Sequence, residues 1–347
     1  KYGAIQVFHD DYVQETQATL EEMERYMEEA SKDMDETAKE KLFAGCFNKH
    51  ESCAYWAAQK ECVKNPTYMK IHCAPACKSC DHVGVQERCP LDYGAPQAWP
   101  EPGDLYQCFA NVTTLEKFAP YEPKVLSRPH YVPGDSKETA DYKIGPWVVQ
   151  LENFVTQEQA ERLIELGHLA GFSHSAETGK VNIDGTYSST LNESRRTSVT
   201  AWCMNDCYKD AIANDVAHRI ADLVHIPETF QEYMQLLRYE AGQFYKLHHD
   251  YIESHANRQP GVRIMTVFLY LNDVHDGGET HFPHLNITVA PRRGRVLMWP
   301  SVRDDDPNVI DGRTQHEALT VEKGIKYAAN AWVHRRDFKG PFHKNCH

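Results

Sequence analysis

Eleven cysteines stand in this chain of 347 residues, and eight of them, Cys46, Cys53, Cys62, Cys73, Cys77, Cys80, Cys89 and Cys108, fall in its first third. Crowding of that kind suits an oxidising compartment, where such residues pair. Residues 46–80 hold six of them, with 6, 8, 10, 3 and 2 residues between successive members. So short a module cannot stabilise itself by core burial, and cross-links must supply its stability. The residues alone leave the connectivity open. Oxidised cysteines offer no thiolate, which argues against zinc at Cys73, Cys77 and Cys80. Further on, Cys89 and Cys108 are expected to close one loop, which leaves Cys346 as the odd cysteine, free or intermolecular.

The six-cysteine spacing resembles the ShK toxin-like (ShKT) domain over 45–81. The resemblance implies the pairs Cys46 with Cys80, Cys53 with Cys73, and Cys62 with Cys77. Channel-blocking members of that family carry a Lys-Tyr dyad after the third cysteine, where this chain reads Thr67-Tyr68. Without the lysine the toxin activity is not carried over. The module is expected to localise the protein or to engage a protein partner.

A formal charge of -13 excludes the basic face that nucleic-acid binding requires. The segment 1–44 is the most acidic, with 12 Asp and Glu against 5 Lys and Arg. Within it Leu20, Met23, Met27, Ala30 and Met34 recur at helical spacing. That narrow stripe suits either a short coiled coil, and with it an oligomer, or a single helix lying on its neighbour. Three glycosylation sequons, at Asn111, Asn192 and Asn286, agree with the cysteines. No apolar run reaches the length of a membrane span. The expected location is the secretory pathway: the lumen of the endoplasmic reticulum or Golgi, free, or anchored by a segment before Lys1, or secreted.

Residues 82–141 are rich in Pro, Gly and Asp and read as an extended linker. The large domain is expected over 142–338, with 339–347 as a tail. Thr156 and Gln159 have capping-box form before Ala160, Leu163, Ile164 and Gly167. A second helix is expected from about Asp206 to Val224, burying Ile212, Val216, Ile220 and Leu223. Beyond Pro227 the texture changes to short β-branched and aromatic segments such as RIMTVFLYLND and KYAANAWVHRRDF. A few helices followed by many strands point to an α+β domain with a jelly-roll, or double-stranded β-helix, core flanked by helices.

Within the stretch YKLHHDY, strand alternation turns His248 and Asp250 to one face and His249 to the other. His-x-Asp spacing is cheap, since His9-Asp10-Asp11 offers it too in an acidic, unstructured-looking context. His316 is the candidate third ligand, 68 residues on. Two imidazoles and one carboxylate form the facial triad of non-haem Fe(II) oxygenases. Lys326 follows His316 by ten residues, where its ammonium can hold a distal carboxylate of 2-oxoglutarate.

His248, Asp250, His316 and Lys326 together resemble the 2-oxoglutarate-dependent oxygenases, and within them the prolyl 4-hydroxylase family. The resemblance extends through Arg196-Thr197-Ser198; Glu232, Gln235, Arg238 and Tyr239; Gly277-Gly278-Glu279-Thr280 with Phe282-Pro283; and Trp332. It implies Fe(II), 2-oxoglutarate and ascorbate as cofactors, with succinate and carbon dioxide released as a proline-rich polypeptide is hydroxylated. Thr280 and Tyr239 would join Lys326 around the co-substrate, and Arg263, Trp332 and Tyr245 would meet the peptide. Tyr327 stands where the family usually has Trp, and the loop Ser301 to Arg313 is unusually acidic. Two other readings stay open at this level: an oxygenase acting on another residue or a small molecule, and a non-catalytic extracellular scaffold.

Overall fold

The strands expected after residue 230 form in the computed structural model, which describes residues 2–135, 137–192 and 194–347. Together with shorter ones from upstream they build a nine-stranded sheet. Its order is Lys143–Ile144, Lys124–Arg128, Val148–Leu151, Val296–Pro300, Arg263–Tyr270, Ile325–His334, Gln235–Glu240, Val199–Trp202, Ser173–His174. A second sheet of four strands runs Ile287–Val289, Thr280–Phe282, His316–Ala318, Tyr245–His248. All of these lie in the larger of two compact units, Tyr93–Thr178 with Ser189–Gly340. The architecture is a mixed α+β fold with a large β-sheet core.

Alternation along the central strands divides the interior in two. From Arg263–Tyr270, Met265, Val267 and Leu269 enter a core shared with the helices, whereas Phe268 and Tyr270 enter a core lined by both sheets. Ala329, Ala331 and Val333 of Ile325–His334 likewise take the helical side, which turns Lys326, Ala328, Asn330, Trp332 and His334 to the other face. The helix Gln157–Ala170 starts at Thr156, whose hydroxyl accepts from the Gln159 N–H while the Gln159 side chain accepts from the Thr156 N–H. Ala160, Leu163 and Gly167 face inward from it.

Two expectations are corrected here. The single helix over Asp206 to Val224 is broken: Asp206–Lys209 is a separate turn, and Ala211–Val224 starts afresh at Asp210. There the carboxylate accepts from the N–H groups of Ile212 and Ala213 at 3.0 and 3.4 Å, satisfying orphan donors of the new helix. Val216, Ile220 and Leu223 are buried as expected, and Ile212 only partly. The stretch 82–141 is more than a linker, since it contains the helix Asp104–Thr114 and the strand Lys124–Arg128. Leu105, Cys108, Phe109 and Val112 recur at helical spacing and are all buried, a short period obscured in sequence by the flanking prolines.

The first unit comprises Lys1–Asp92, Gly179–Ser188 and Pro341–His347. Disulfides join Cys46 to Cys80, Cys53 to Cys73 and Cys62 to Cys77, the pairs that the ShKT resemblance implies. The acidic helix runs over Val13–Ser31, and its Met23 and Met27 pack with Cys53, Met69, Cys73 and Ala74 in one cluster. Its stripe is thus occupied within the unit, which answers the choice between a coiled coil and a helix lying on its neighbour; Met34 lies beyond it and is exposed.

The readings of Cys89, Cys108 and Cys346 are corrected. Cys89 pairs with Cys346, not Cys108, and Cys203 pairs with Cys207. The Arg88 guanidinium reinforces the first closure by donating to the carbonyls of Asp184 and Asn345 at 2.6 and 2.8 Å. Cys108 is the free thiol, because its place on the inner face of Asp104–Thr114 turns it into the core, where it contacts the Val224 carbonyl oxygen at 3.4 Å. Burial pushes that thiol up to about 12. Peptide mapping without reduction is therefore expected to recover Cys89 linked to Cys346, with Cys108 alkylated only after denaturation; a labelled Cys346 in the native protein would contradict the pairing.

Candidate metal centre

The strand Tyr245–His248 lies antiparallel to His316–Ala318 with His248 directly opposite His316. Their rings therefore lie side by side, with centroids 4.3 Å apart. The strand ends at His248, so Asp250 comes from the irregular chain just beyond it rather than from the same strand. One donor atom each from His248, Asp250 and His316 falls within 4.8 Å of the others. Asp250 Oδ1 is 3.9 Å from His248 Nε2, and Asp250 Oδ2 is 3.7 Å from His316 Nε2. Among the described residues no other such group of His, Cys, Asp and Glu is found. His9 of the decoy spacing is exposed and lies against Tyr55, with ring centroids 4.0 Å apart.

The surrounding bonds suit the three groups to a divalent ion. His248 donates from Nδ1 to the Lys246 carbonyl at 2.9 Å, and His316 from Nδ1 to the Thr314 carbonyl at 3.1 Å. Each neutral ring then presents its Nε2 lone pair inward. Burial holds the His248 imidazole well below its ordinary value and so keeps it neutral. Burial by itself would raise the Asp250 carboxyl, but its setting holds it below the ordinary carboxylate range, with the Thr266 hydroxyl donating a bond that favours the ionised form. Thr266 donates to Asp250 Oδ2 at 2.6 Å and is fully buried. His249 faces away and meets the Asp311 carbonyl and the Thr314 hydroxyl at 3.0 and 3.1 Å.

Lys326 lies deeper in the same interior and is fully buried. Its Nζ donates to the Gly278 carbonyl at 2.7 Å and sits 5.2 to 5.6 Å from the ring centres of Tyr239, Phe268 and Tyr270. Gly277 and Gly278, both at positive φ, make the turn that presents this carbonyl. A Cβ on Gly277 would come within 2.2 Å of the Thr320 carbonyl oxygen. Tyr270 donates to Thr280 Oγ1 at 2.7 Å, which brings Thr280 into the same group. Desolvation pulls the Lys326 ammonium down to about 7, with Glu279 only partly opposing it.

On the other side, Tyr245 stacks on His248 at 3.6 Å and carries the Arg196 guanidinium over its ring at 4.5 Å. The Arg263 guanidinium lies 3.6 Å over the Trp332 ring and donates two bonds to Glu232, at 2.5 and 3.0 Å. His334 reaches Glu232 Oε1 from Nε2 at 2.6 Å and the Gly261 carbonyl from Nδ1 at 2.8 Å, an acceptor at each ring nitrogen. Burial alone would raise the Glu232 carboxyl; Arg263 and His334 overcome it and hold the group ionised. The Trp332 indole N–H is buried without a partner.

Thr266, Tyr270 and His334 were not singled out from the sequence. The signal was available in alternation: Thr266 and Tyr270 share the face of Phe268, and His334 follows Lys326 and Trp332 at even spacing. Of the sequon residues, Asn286 is exposed at a tight turn with φ 51°. Asn111 lies within a helix, accepting from Gln107 at 2.7 Å. Asn192 accepts from the Ser194 hydroxyl at 2.6 Å, and Glu193 of that triplet lies outside the described residues.

Known proteins share these features. A family model described as the 2OG-Fe(II) oxygenase superfamily matches residues 234–334, and one described as ShK domain-like matches residues 45–80. The chain is 31% identical over 210 residues to "Probable prolyl 4-hydroxylase 3" of Arabidopsis thaliana, covering 54% of this chain and 69% of that protein. It is 30% identical over 228 residues to "Probable prolyl 4-hydroxylase 10" of the same plant, covering 59% and 75%. Among solved structures, a viral collagen prolyl hydroxylase of Paramecium bursaria Chlorella virus-1, in complex with 2OG, is similar at 22% identity and a TM-score of 0.44, covering 55% of this chain and 97% of that one.

Removing the Thr266 hydroxyl while keeping its shape tests how the carboxylate is held. Thr266→Val is expected to weaken Fe(II) or Mn(II) binding by about 10- to 100-fold, the usual cost of losing a partner behind a metal ligand. Thr266→Ser is expected to restore it. Calorimetric titration of the metal would read this, and equal affinity in all three proteins would refute the clamp.

Proposed function

We propose, from the premise that this chain belongs to the prolyl 4-hydroxylase family of 2OG-Fe(II) oxygenases and carries a ShK domain, that it hydroxylates carbon 4 of proline residues within polypeptides of the secretory pathway. His248, Asp250 and His316 would hold the iron, which when bound would couple oxygen to the oxidative decarboxylation of 2-oxoglutarate, giving succinate, carbon dioxide and one oxygen atom in the substrate. The chain's own residues bind, orient and exclude water.

Lys326 takes the distal carboxylate of 2-oxoglutarate in this reading, supported by its burial and by its hydrogen bond to the Gly278 carbonyl. Thr280 and Tyr239 line the same space, and Tyr270 joins them through its bond to Thr280. The observation that carries the peptide assignment is the stacked Arg263–Trp332 pair near the iron ligands. Arg263 is close enough to Asp250 and Tyr245 for their charges to act on it. Tyr245 and Trp332 stand at the positions that the family resemblance assigns to the peptide, with Tyr245 stacked on His248. A prolyl residue brings no amide N–H that would need an acceptor.

Ascorbate would be the reductant that keeps a bound iron as Fe(II). The lumen of the endoplasmic reticulum or Golgi, or the exterior, suits a chain with five disulfides among its eleven cysteines. The ShK unit serves as an interaction module for a protein partner, and the exposed Asn286 is the glycosylation site best placed for access.

The decisive experiment loads the protein anaerobically with Fe(II) and 2-oxoglutarate, then admits oxygen with a proline-rich peptide. Succinate and a mass gain of one oxygen on proline are expected together, and both are expected to vanish in a folded His316→Ala variant. Succinate with an unmodified peptide would overturn the proline assignment. A second experiment follows 2-oxoglutarate affinity against pH in Mn(II)-loaded protein. Below pH 7 Lys326 is already an ammonium and binding should be flat. Above it, binding must first take up a proton, so Kd should rise about tenfold per pH unit. Lys326→Arg, charged throughout, should abolish that slope; a slope that persists would remove Lys326 from the role.

A further inference from the structure

The chain of the larger unit is interrupted at Gly179–Ser188, residues that belong to the first unit. They lie on the paired strands Glu177–Val181 and Tyr187–Thr190 and on the turn between them. At this tip Asp184 is 6% exposed. Its Oδ2 accepts from the Lys49 ammonium, and its Oδ1 accepts from the N–H and the hydroxyl of Thr186 at 3.0 and 2.7 Å. Burial would raise this carboxyl, but the bonds from Lys49 and Thr186 hold it below the ordinary range. The Asp184 carbonyl accepts from Arg88, and the Ile183 carbonyl accepts from the Val85 N–H at 3.1 Å. Lys49 and Arg88 stand on cross-linked chain, close to Cys46 and Cys89. The turn itself needs only the local bonds with Thr186. A buried carboxylate matched to a cation 135 positions away fixes where that turn sits.

The base of the same hairpin is fixed within the larger unit, beside the iron ligands. Ser175 donates from its N–H to the Ser198 carbonyl at 3.0 Å, and the two hydroxyls meet at 3.1 Å. The returning chain then runs along the segment that carries His248. The Arg195 carbonyl accepts from the Lys246 N–H at 2.9 Å, and Arg196 is bridged to Tyr245. Thr197 donates from its N–H to the Phe244 carbonyl at 3.2 Å, while its hydroxyl accepts from the Phe244 N–H at 2.9 Å. Arg196 is buried, and its Nε donates to Ser198 Oγ at 3.0 Å, which aims the guanidinium over the Tyr245 ring. Six residues, 189–194, join the gripped tip to Arg195. Where the tip is held therefore restricts where Arg196 can lie.

We propose that the ShK unit is part of the peptide-binding apparatus: by gripping the hairpin tip through Lys49 and Arg88, it holds Arg196 against Tyr245 in the place that receives the polypeptide. Lys49 and Asp184 are positioning residues in this arrangement. They act through the hairpin, and neither belongs to the iron ligands or to the group around Lys326. The inference rests on the function proposed above for the identity of what is received, whereas the grip itself is read without turnover.

The test uses the full chain. Asp184→Asn keeps the turn, since an amide oxygen still accepts from Thr186, but removes the charge that Lys49 meets. Lys49→Arg keeps a cation there and serves as the conservative control. In protein loaded with Mn(II) and 2-oxoglutarate, Asp184→Asn is expected to speed hydrogen exchange about tenfold at the Val85 N–H and also at the Thr197 and Lys246 N–H groups. With Fe(II) and oxygen, it should raise KM for a proline-rich peptide about tenfold and leave kcat and the KM for 2-oxoglutarate unchanged. Lys49→Arg should match the wild type in every reading. Lys49→Met combined with Asp184→Asn leaves no unpaired buried charge and should behave like Asp184→Asn, so one misfolded variant does not end the test. Exchange that quickens at Val85 alone, a peptide KM that stays put, or a loss in kcat instead of KM would overturn the proposal. Faster exchange at both ends of the hairpin, with no oxidised proline in the wild type, would overturn the hydroxylase reading and keep the grip. Oxidised proline in the wild type, with exchange at Thr197 and Lys246 unmoved by Asp184→Asn, would do the reverse.

Discussion

The register between Tyr245–His248 and His316–Ala318 is the constraint on which the centre depends. With His248 opposite His316, two imidazoles from segments 68 residues apart meet on one face of a sheet. A slip by one residue would turn one of them away, since side chains alternate. Asp250 then needs no place in the ladder: it leaves the strand end and is fixed by a hydroxyl from Thr266 of the opposing sheet. The two sheets thus define the triad jointly, one holding the imidazoles and the other steadying the carboxylate.

Around this centre the interior treats its buried charges in two ways. Glu232 is enclosed by Arg263 and His334, so its charge is balanced on the spot. Such a closed group holds Arg263 flat on Trp332 and keeps that surface rigid. Lys326 is treated differently, meeting the Gly278 carbonyl and three aromatic rings, and its ammonium is weakened by burial. The contrast is chemically meaningful. A complete ion group supports structure, whereas a desolvated cation stores a preference for an incoming carboxylate.

Much of this was legible in the linear chain. His248, Asp250 and His316 were readable because ligand chemistry restricts residue type, although Asp250 reaches the centre from beyond the strand end and not by alternation. The Thr156 capping box and the six cysteines of 46–80 were readable for a similar reason, since each is a local pattern with its own geometry. Cys108 was misread because pairing depends on which face of a helix a thiol occupies, and that helix was hidden among prolines. The break at Asp210 escaped because an apolar period continued across it, although the carboxylate there offered the backbone a better partner than the preceding turn.

By itself the sequence determined what short-range chemistry can determine: the oxidising environment implied by crowded cysteines, the alternation of the strands, the helix starts, and the types of residue able to bind a metal and a carboxylate. Only the tertiary structure decided which of those residues meet. It joined Cys89 to Cys346 across 257 positions, set Thr266 against Asp250, closed Glu232 between Arg263 and His334, and brought Tyr270 to Thr280 beside Lys326. The physical reason is that these contacts join groups distant in the chain, which meet only where the folded chain buries them. Burial is a property of two sheets and a helical layer closing on one another, not of any segment read alone.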